Sequence, residues 1–157
     1  MKLCIKQKIF SWFDGYNVYD ENDNIVYKVE GRLAWGHKLV IYDANGAEIG
    51  MVKEAVITWL PKFNLYERGN YIGDIKKKIS LFRPKYEIGH KDWTATGDFV
   101  EWNYEINSPN GCVATIYKQL LHLTDTYVID VNDPADALCC LMFAIAIDAE
   151  KCSRSRG

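Results

Sequence analysis

Apolar and polar residues alternate along most of this chain, which is the pattern of β-strands with one buried face. In the opening segment, Leu3, Ile5, Gln7 and Ile9 share one face, and lysines and a cysteine occupy the other. We predict a strand there and further short strands at residues 16–20, 25–30, 38–43, 48–53, 55–60, 63–67, 71–79, 85–90, 93–96, 99–106, 112–118 and 126–131.

Turn-forming residues separate these strands. Glu21–Asn24, Ala44–Gly46, Arg68–Asn70 and Ser108–Gly111 are rich in Asn, Asp and Gly, which adopt positive φ at low cost. Short connections of this kind join antiparallel neighbours, so the chain is expected to form successive hairpins. A dozen or so such strands indicate a β-sandwich or a closed barrel.

The pattern changes at Asp133, which can cap a helix, and Pro134, which suits the first helical position. Every residue from Ala137 to Ile147 is apolar. A helix that is apolar on all sides must be enclosed, and this run falls short of the roughly 20 residues that span a bilayer. We therefore predict a buried helix with these core side chains: Leu138, Leu141, Met142, Phe143, Ile145 and Ile147.

Composition and charge limit the number of domains, the kinds of partner and the cellular compartment that we expect. With 157 residues and a net charge of −2, the chain fits one domain, at 1–151, followed by a basic flexible tail at 152–157. The charge balance gives no reason to expect nucleic acid as a partner. The five cysteines include no C-x-x-C spacing, and the N-terminus resembles no signal peptide. We expect reduced thiols and a cytoplasmic protein that can associate peripherally with a membrane.

Several segments resemble a known family. They are Pro84–Ile88, Gly97-Asp98-Phe99 leading into Trp102–Ile106, and Tyr127–Asp130 followed by the apolar run that ends at Asp148. As a set, they are similar to the LURP-one-related proteins over nearly the whole chain. That family is similar in fold to the tubby C-terminal domain and, more distantly, to phospholipid scramblases. The resemblance implies a mostly β fold: a twelve-stranded closed barrel threaded by a hydrophobic C-terminal helix. It carries over no catalytic residues.

The densest basic cluster consists of Lys76, Lys77, Lys78, Arg83 and Lys85. Tubby domains bind phosphoinositide headgroups through surface Lys and Arg, so the resemblance makes these five residues candidates for an anion site. The simpler interpretation is a solvated strand edge, because alternation places Ile75, Lys77 and Ile79 on one face.

Other chemistry has weaker support. Asp20, Asn22 and Asn24 begin a calcium-loop pattern, but Ile25 and Gly31 stand where Gly and Glu are needed. Asp125, Asp130, Asp133 and Asp136 gather before the helix, and helix capping and solubility explain Asp133 and Asp136 more simply than a metal site. We predict no metal, no cofactor and no catalytic residue. Cys139 and Cys140 are expected to be core residues of the apolar helix, and Cys152, in the expected exposed tail, is the better candidate for a reactive thiol.

Three functions remain open. The first is a non-catalytic module that binds an anionic lipid headgroup, a membrane surface or a protein. The second is an intracellular scaffold or regulatory protein-interaction domain. The third is an enzyme whose active site assembles from distant segments, which would need a pocket that the buried helix leaves little room for.

Overall fold

Antiparallel strands form a closed barrel in the structure, a computed structural model that describes residues 1–6, 15–32, 34–79, 81–120 and 125–154. Within these residues, each strand pairs with its neighbour in sequence, and β1 also pairs with β12 to close the barrel. The twelve strands are β1 (Lys2–Ile5), β2 (Tyr16–Tyr19), β3 (Ile25–Arg32), β4 (Lys38–Asp43), β5 (Glu48–Glu54), β6 (Lys62–Glu67), β7 (Asn70–Lys78), β8 (Lys85–Ile88), β9 (Trp93–Asp98), β10 (Asn103–Ser108), β11 (Gly111–Leu120) and β12 (Asp125–Val131).

The predicted mostly β barrel is confirmed, with two differences in its strands. The segment 55–60 is a loop, and its apolar residues Val56, Ile57 and Trp59 face outward, so their spacing reflects no buried face. Residues 99–102 form a turn because the Asp98 carboxylate accepts hydrogen bonds from the amides of Val100 and Glu101, both at 3.0 Å. The predicted continuation of the first strand to residue 9 lies outside the described residues.

The C-terminal helix begins as the sequence predicts. Asp133 accepts a hydrogen bond from the amide of Ala135 at 3.0 Å, and a single 3-10 turn at Pro134–Asp136 leads into α1 (Ala137–Arg154). At the same end, the N-terminal ammonium of Met1 donates to the Val131 carbonyl at 2.9 Å. In the part of the chain that the structure describes, no helix combines the length and the apolar character that crossing a membrane requires.

The helix fills the barrel. Five of its six expected core side chains, from Leu141, Met142, Phe143, Ile145 and Ile147, are at most 1% exposed, and that of Leu138 is partly buried. A methyl group added at Gly50 of β5 would lie 2.6 Å from the terminal methyl of Met142, so this strand has no side chain where the helix passes.

Aromatic side chains from the barrel wall surround the helix at its middle. The Phe143 ring lies 5.9 Å from the Tyr86 ring and 5.8 Å from the Tyr104 ring, both edge to face, and 6.5 Å from the Phe99 ring. Such pairs add about 0.5–1.5 kcal/mol each beyond the area that they bury. This cluster fixes the helix against β8 and β10.

The helix extends to Arg154, into the segment for which the sequence predicts a tail. The expectation that Cys152 is exposed is wrong, since its side chain is only 7% exposed. Residues 145, 149 and 152 follow the helical spacing of three and four, so Cys152 returns to the core face. Residues 155–157 of the predicted tail lie outside the described part of the chain.

Candidate anion-binding site

The two ends of the barrel differ in their connections. Antiparallel topology places the connections β3–β4, β5–β6, β7–β8 and β9–β10 at one end, which we call the loop end. The tight turns β2–β3, β4–β5, β6–β7, β8–β9 and β10–β11 lie at the opposite end, the turn end. The helix enters at the turn end after β12. It reaches the loop end, where the Lys151 ammonium donates to the Val100 carbonyl at 3.1 Å.

All five residues of the predicted basic cluster lie at or next to the loop end. Lys76, Lys77 and Lys78 end β7, Arg83 lies in the following loop, and Lys85 begins β8. The pairing of β7 with β8 sets Lys78 directly opposite Lys85. The fold therefore brings the cluster together on one hairpin.

Lys77 differs from the other members because it faces the helix, on the same side of β7 as the buried Ile75. Its side chain is 15% exposed, and its ammonium lies 2.9 Å from the Glu150 carboxylate. The Tyr86 hydroxyl donates to the other oxygen of Glu150, which is buried. Lys77 thus connects β7 to the end of the helix. Ile79, expected on the same face, is 80% exposed beyond the end of the strand.

The remaining lysines face outward, and two of them form ion pairs. The ammonium of Lys76 lies 3.3 Å from the Asp74 carboxylate, and that of Lys78 lies 3.2 Å from Glu87. The exposed pair of Lys78 and Glu87 contributes about 0–1 kcal/mol, so the Lys78 ammonium can exchange Glu87 for another anion. Asp74 is only 8% exposed, so the partner of Lys76 is a buried carboxylate.

A groove of about 510 Å³ runs beside Arg83 and Lys85. Asp98 and Glu105 also line it. Its charge is therefore mixed, which suits no single phosphate.

Cations also face one another across neighbouring strands at the loop end. Lys38 lies opposite Arg32 on β3 and opposite Lys53 on β5. Lys62 of β6 lies opposite Lys76 of β7, and Lys78 opposite Lys85 completes the arrangement. We call this set the basic collar: Arg32, Lys38, Lys53, Lys62, Lys76, Lys78 and Lys85.

Some carboxylates partly compensate the collar. Asp74 lies 3.3 Å from the ammonium groups of both Lys62 and Lys76. Glu54, at the end of β5, accepts a hydrogen bond from the His37 amide at 3.0 Å and contacts the His37 ring, and these hydrogen bonds lower its pKa. Among the described residues, no ion pair within 4.0 Å involves Arg32, Lys38 or Lys53.

The turn end carries the opposite charge. Carboxylates dominate its connections and the strand residues beside them: Asp20, Glu21, Asp23, Asp43, Glu48, Glu67, Asp92, Asp133 and Asp136. The cations that oppose them include Arg68, Lys91, the Met1 ammonium and Lys6, whose ammonium lies 2.6 Å from Asp23. The net charge of −2 therefore conceals a separation of charge along the barrel axis. This separation cannot be read from the sequence, because it appears only when alternate connections are assigned to opposite ends of the barrel.

A serine, a histidine and a carboxylate also meet at the loop end. The Ser153 hydroxyl lies 3.3 Å from Nδ1 of His37, and Glu54 lies 3.0 Å from that same nitrogen. A catalytic triad needs the serine and the carboxylate on different ring nitrogens. This arrangement is instead a contact that holds the helix end to the β3–β4 loop.

A buried carboxyl group lies inside the barrel, near the end of the helix. Asp148 is 3% exposed, and burial raises its pKa from 3.8 to about 7, although Lys151 acts in the opposite direction. Burial is the main cause of the raised pKa of Tyr104, and the charge of Asp148 raises this pKa further. The Tyr104 hydroxyl has no hydrogen-bond partner within the described part of the chain.

The carboxylates near the helix start do not form one cluster. Asp125 pairs with Lys118 at 2.7 Å at the loop end of β12, whereas Asp136 pairs with Lys91 at 2.8 Å beyond its other end. Over the residues that the structure describes, no three His, Cys, Asp or Glu side chains come together as metal ligands would.

Comparisons with known proteins agree with this architecture. The model of the LURP-one-related family matches residues 1–148, so the chain belongs to that family, as the sequence resemblance predicted. An uncharacterized protein of Bacillus subtilis, YxjI, is 26% identical over 149 residues, which cover 94% of this chain and 92% of that protein. The crystal structure of an Arabidopsis thaliana protein matches with a TM-score of 0.63 and 16% identity, covering 94% of this chain and 90% of that one. This last likeness shows the fold alone.

Proposed function

We propose that this protein is a non-catalytic binding module that associates peripherally with anionic membrane surfaces through the loop end of its barrel. The basic collar is the observation that carries the proposal. Like charges placed directly opposite one another on a sheet destabilise it. Their repetition in four strand pairs between β3 and β8 has a physical reason if the collar meets an anionic surface.

The charge separation along the barrel would orient the protein relative to the membrane. An anionic leaflet attracts the loop end and repels the acidic turn end, so the protein approaches with its loops toward the lipid. Each Lys or Arg near such a surface contributes about 1 kcal/mol. Several cations of the collar acting together would produce measurable binding without a dedicated headgroup pocket.

The experiment measures sedimentation with phosphatidylcholine vesicles that contain or lack phosphatidylserine. We expect binding only with the anionic lipid and weaker binding at higher salt. The variant Lys78→Glu with Lys85→Glu should reduce partitioning by roughly 100-fold or more, since each reversal removes one attraction and adds one repulsion of about 1 kcal/mol. Lys77 is left unchanged, because its loss would remove the cation that pairs with the buried carboxylate of Glu150.

A matched control has the same net charge change away from the loop end. Lys28, in the middle of β3, and Arg68, in a turn-end connection, are both exposed. The variant Lys28→Glu with Arg68→Glu should bind within about threefold of the unchanged protein. Equal losses in both variants would indicate a response to net charge alone. Binding that ignores phosphatidylserine and salt would rule the proposal out.

A further inference from the structure

Large apolar side chains project into solvent from three neighbouring connections at the loop end. Trp35 of the β3–β4 loop is 89% exposed. Ile57 and Trp59 of the β5–β6 loop are 96% and 97% exposed, and Leu81 and Phe82 of the β7–β8 loop are 94% and 93% exposed. We call these five residues the apolar tips.

The tips and the basic collar occupy the same three hairpins. Arg32 and Lys38 flank the loop that carries Trp35, Lys53 and Lys62 flank the loop of Trp59, and Lys78 and Lys85 flank the loop of Phe82. In each hairpin, the cations lie at or next to the strand ends and the apolar residues lie beyond them. Moving outward along the barrel axis, the surface thus changes from charged to apolar.

This order of charge and apolarity is that of an anionic membrane interface. Phosphate headgroups lie outside the acyl chains, and peripheral elements bury apolar side chains about 5–10 Å into the headgroup and acyl boundary while their cations stay with the phosphates. Tryptophan is suited to that boundary because its ring is amphipathic. A protein partner would need the apolar tips to fit a shaped pocket, whereas a bilayer accepts separated loops.

We propose that the apolar tips insert into the acyl boundary of an anionic bilayer once the basic collar has drawn the loop end to it. This inference rests on the proposed function and adds the part of the surface that enters the lipid. The collar provides long-range, salt-sensitive attraction. The tips provide short-range burial that salt does not screen.

The test uses phosphatidylcholine and phosphatidylserine vesicles with lipids brominated on their acyl chains, which quench nearby tryptophan fluorescence. Among the described tryptophans, Trp35 and Trp59 are exposed, whereas Trp93 and Trp102 are 6% and 5% exposed. We expect quenching on binding. The variant Trp35→Phe with Trp59→Phe should lose most of this quenching yet bind nearly as well, because Phe preserves the apolar surface.

A second variant tests whether the tips contribute to affinity. Leu81→Ser with Phe82→Ser should weaken vesicle binding about tenfold or more, since each large side chain loses its burial. The control Tyr71→Ser removes a 57% exposed ring near the turn end and should leave binding unchanged. Circular dichroism checks that each variant retains the wild-type fold.

The outcomes separate this inference from the proposed function. Salt-sensitive binding to anionic vesicles without quenching would refute insertion and leave the collar's role intact. Quenching that is equally strong with pure phosphatidylcholine would support insertion and refute the electrostatic function. A dimer in light scattering that the Leu81→Ser and Phe82→Ser variant abolishes would assign the tips to a second copy of the chain and overturn the inference.

Discussion

Replacing Phe143 by alanine removes the helix ring that packs against three aromatic rings inside the barrel. This side chain is 0% exposed and lies within 6.5 Å, centroid to centroid, of three aromatic rings. Its burial contributes about 1.5–3 kcal/mol, and its aromatic contacts contribute more. Since alanine also leaves a cavity in a core held by the surrounding barrel, we expect a loss of about 3–5 kcal/mol.

The measurement is equilibrium unfolding in urea, followed by fluorescence and circular dichroism. The urea concentration at the unfolding midpoint should fall. The slope of the unfolding free energy against urea concentration should stay unchanged, because the folded state remains equally compact. For a domain of this size, the same loss lowers Tm by about 6–20 °C. A typical stability is about 5–15 kcal/mol, which exceeds the expected loss over most of that range. The variant should therefore remain folded at room temperature.

Phe82 offers a control with the same chemical change. Its ring is 93% exposed, so Phe82→Ala should shift the stability by no more than about 0.5 kcal/mol. A loss below about 1 kcal/mol for Phe143→Ala, similar to that of Phe82→Ala, would refute the conclusion that the helix is tightly packed inside the barrel.

Two further predictions concern the buried acid and a strand glycine. The pKa of Asp148 is raised from 3.8 to about 7 in the fold, so its protonation favours folding and that stabilisation is lost as pH rises from about 4 to 7. Asp148→Asn should therefore stabilise the protein at pH 8 by a few kcal/mol more than at pH 4, as urea midpoints would show; an equal effect at both pH values would contradict this. Gly97 has φ +137° and an added Cβ would lie 2.6 Å from the Asn103 carbonyl oxygen, so Gly97→Ala should cost about 3 kcal/mol. Gly46 has φ +84° but open space around it, so Gly46→Ala should cost only about 1 kcal/mol, and equal costs in thermal unfolding would show that the close approach does not matter.

Local patterns in the sequence determined the strands and the helix. Period-two alternation reflects which side chains of a strand are buried, and it located most of the barrel from Tyr16 to Val131. It failed at residues 55–60 because apolar residues exposed on a loop have the same spacing as those on a half-buried strand. Asp133 and Pro134 marked the helix start because capping depends only on adjacent residues.

Only the tertiary structure decided which side chains from different strands and loops become neighbours. The partner of the inward-facing Lys77 is Glu150, which lies more than 70 positions away along the chain. The basic collar depends on the register of four strand pairs, and the apolar tips depend on alternate connections meeting at one end of a closed barrel. The physical reason is that alternation determines whether a side chain faces in or out, whereas pairing between strands determines which charges and apolar groups become neighbours.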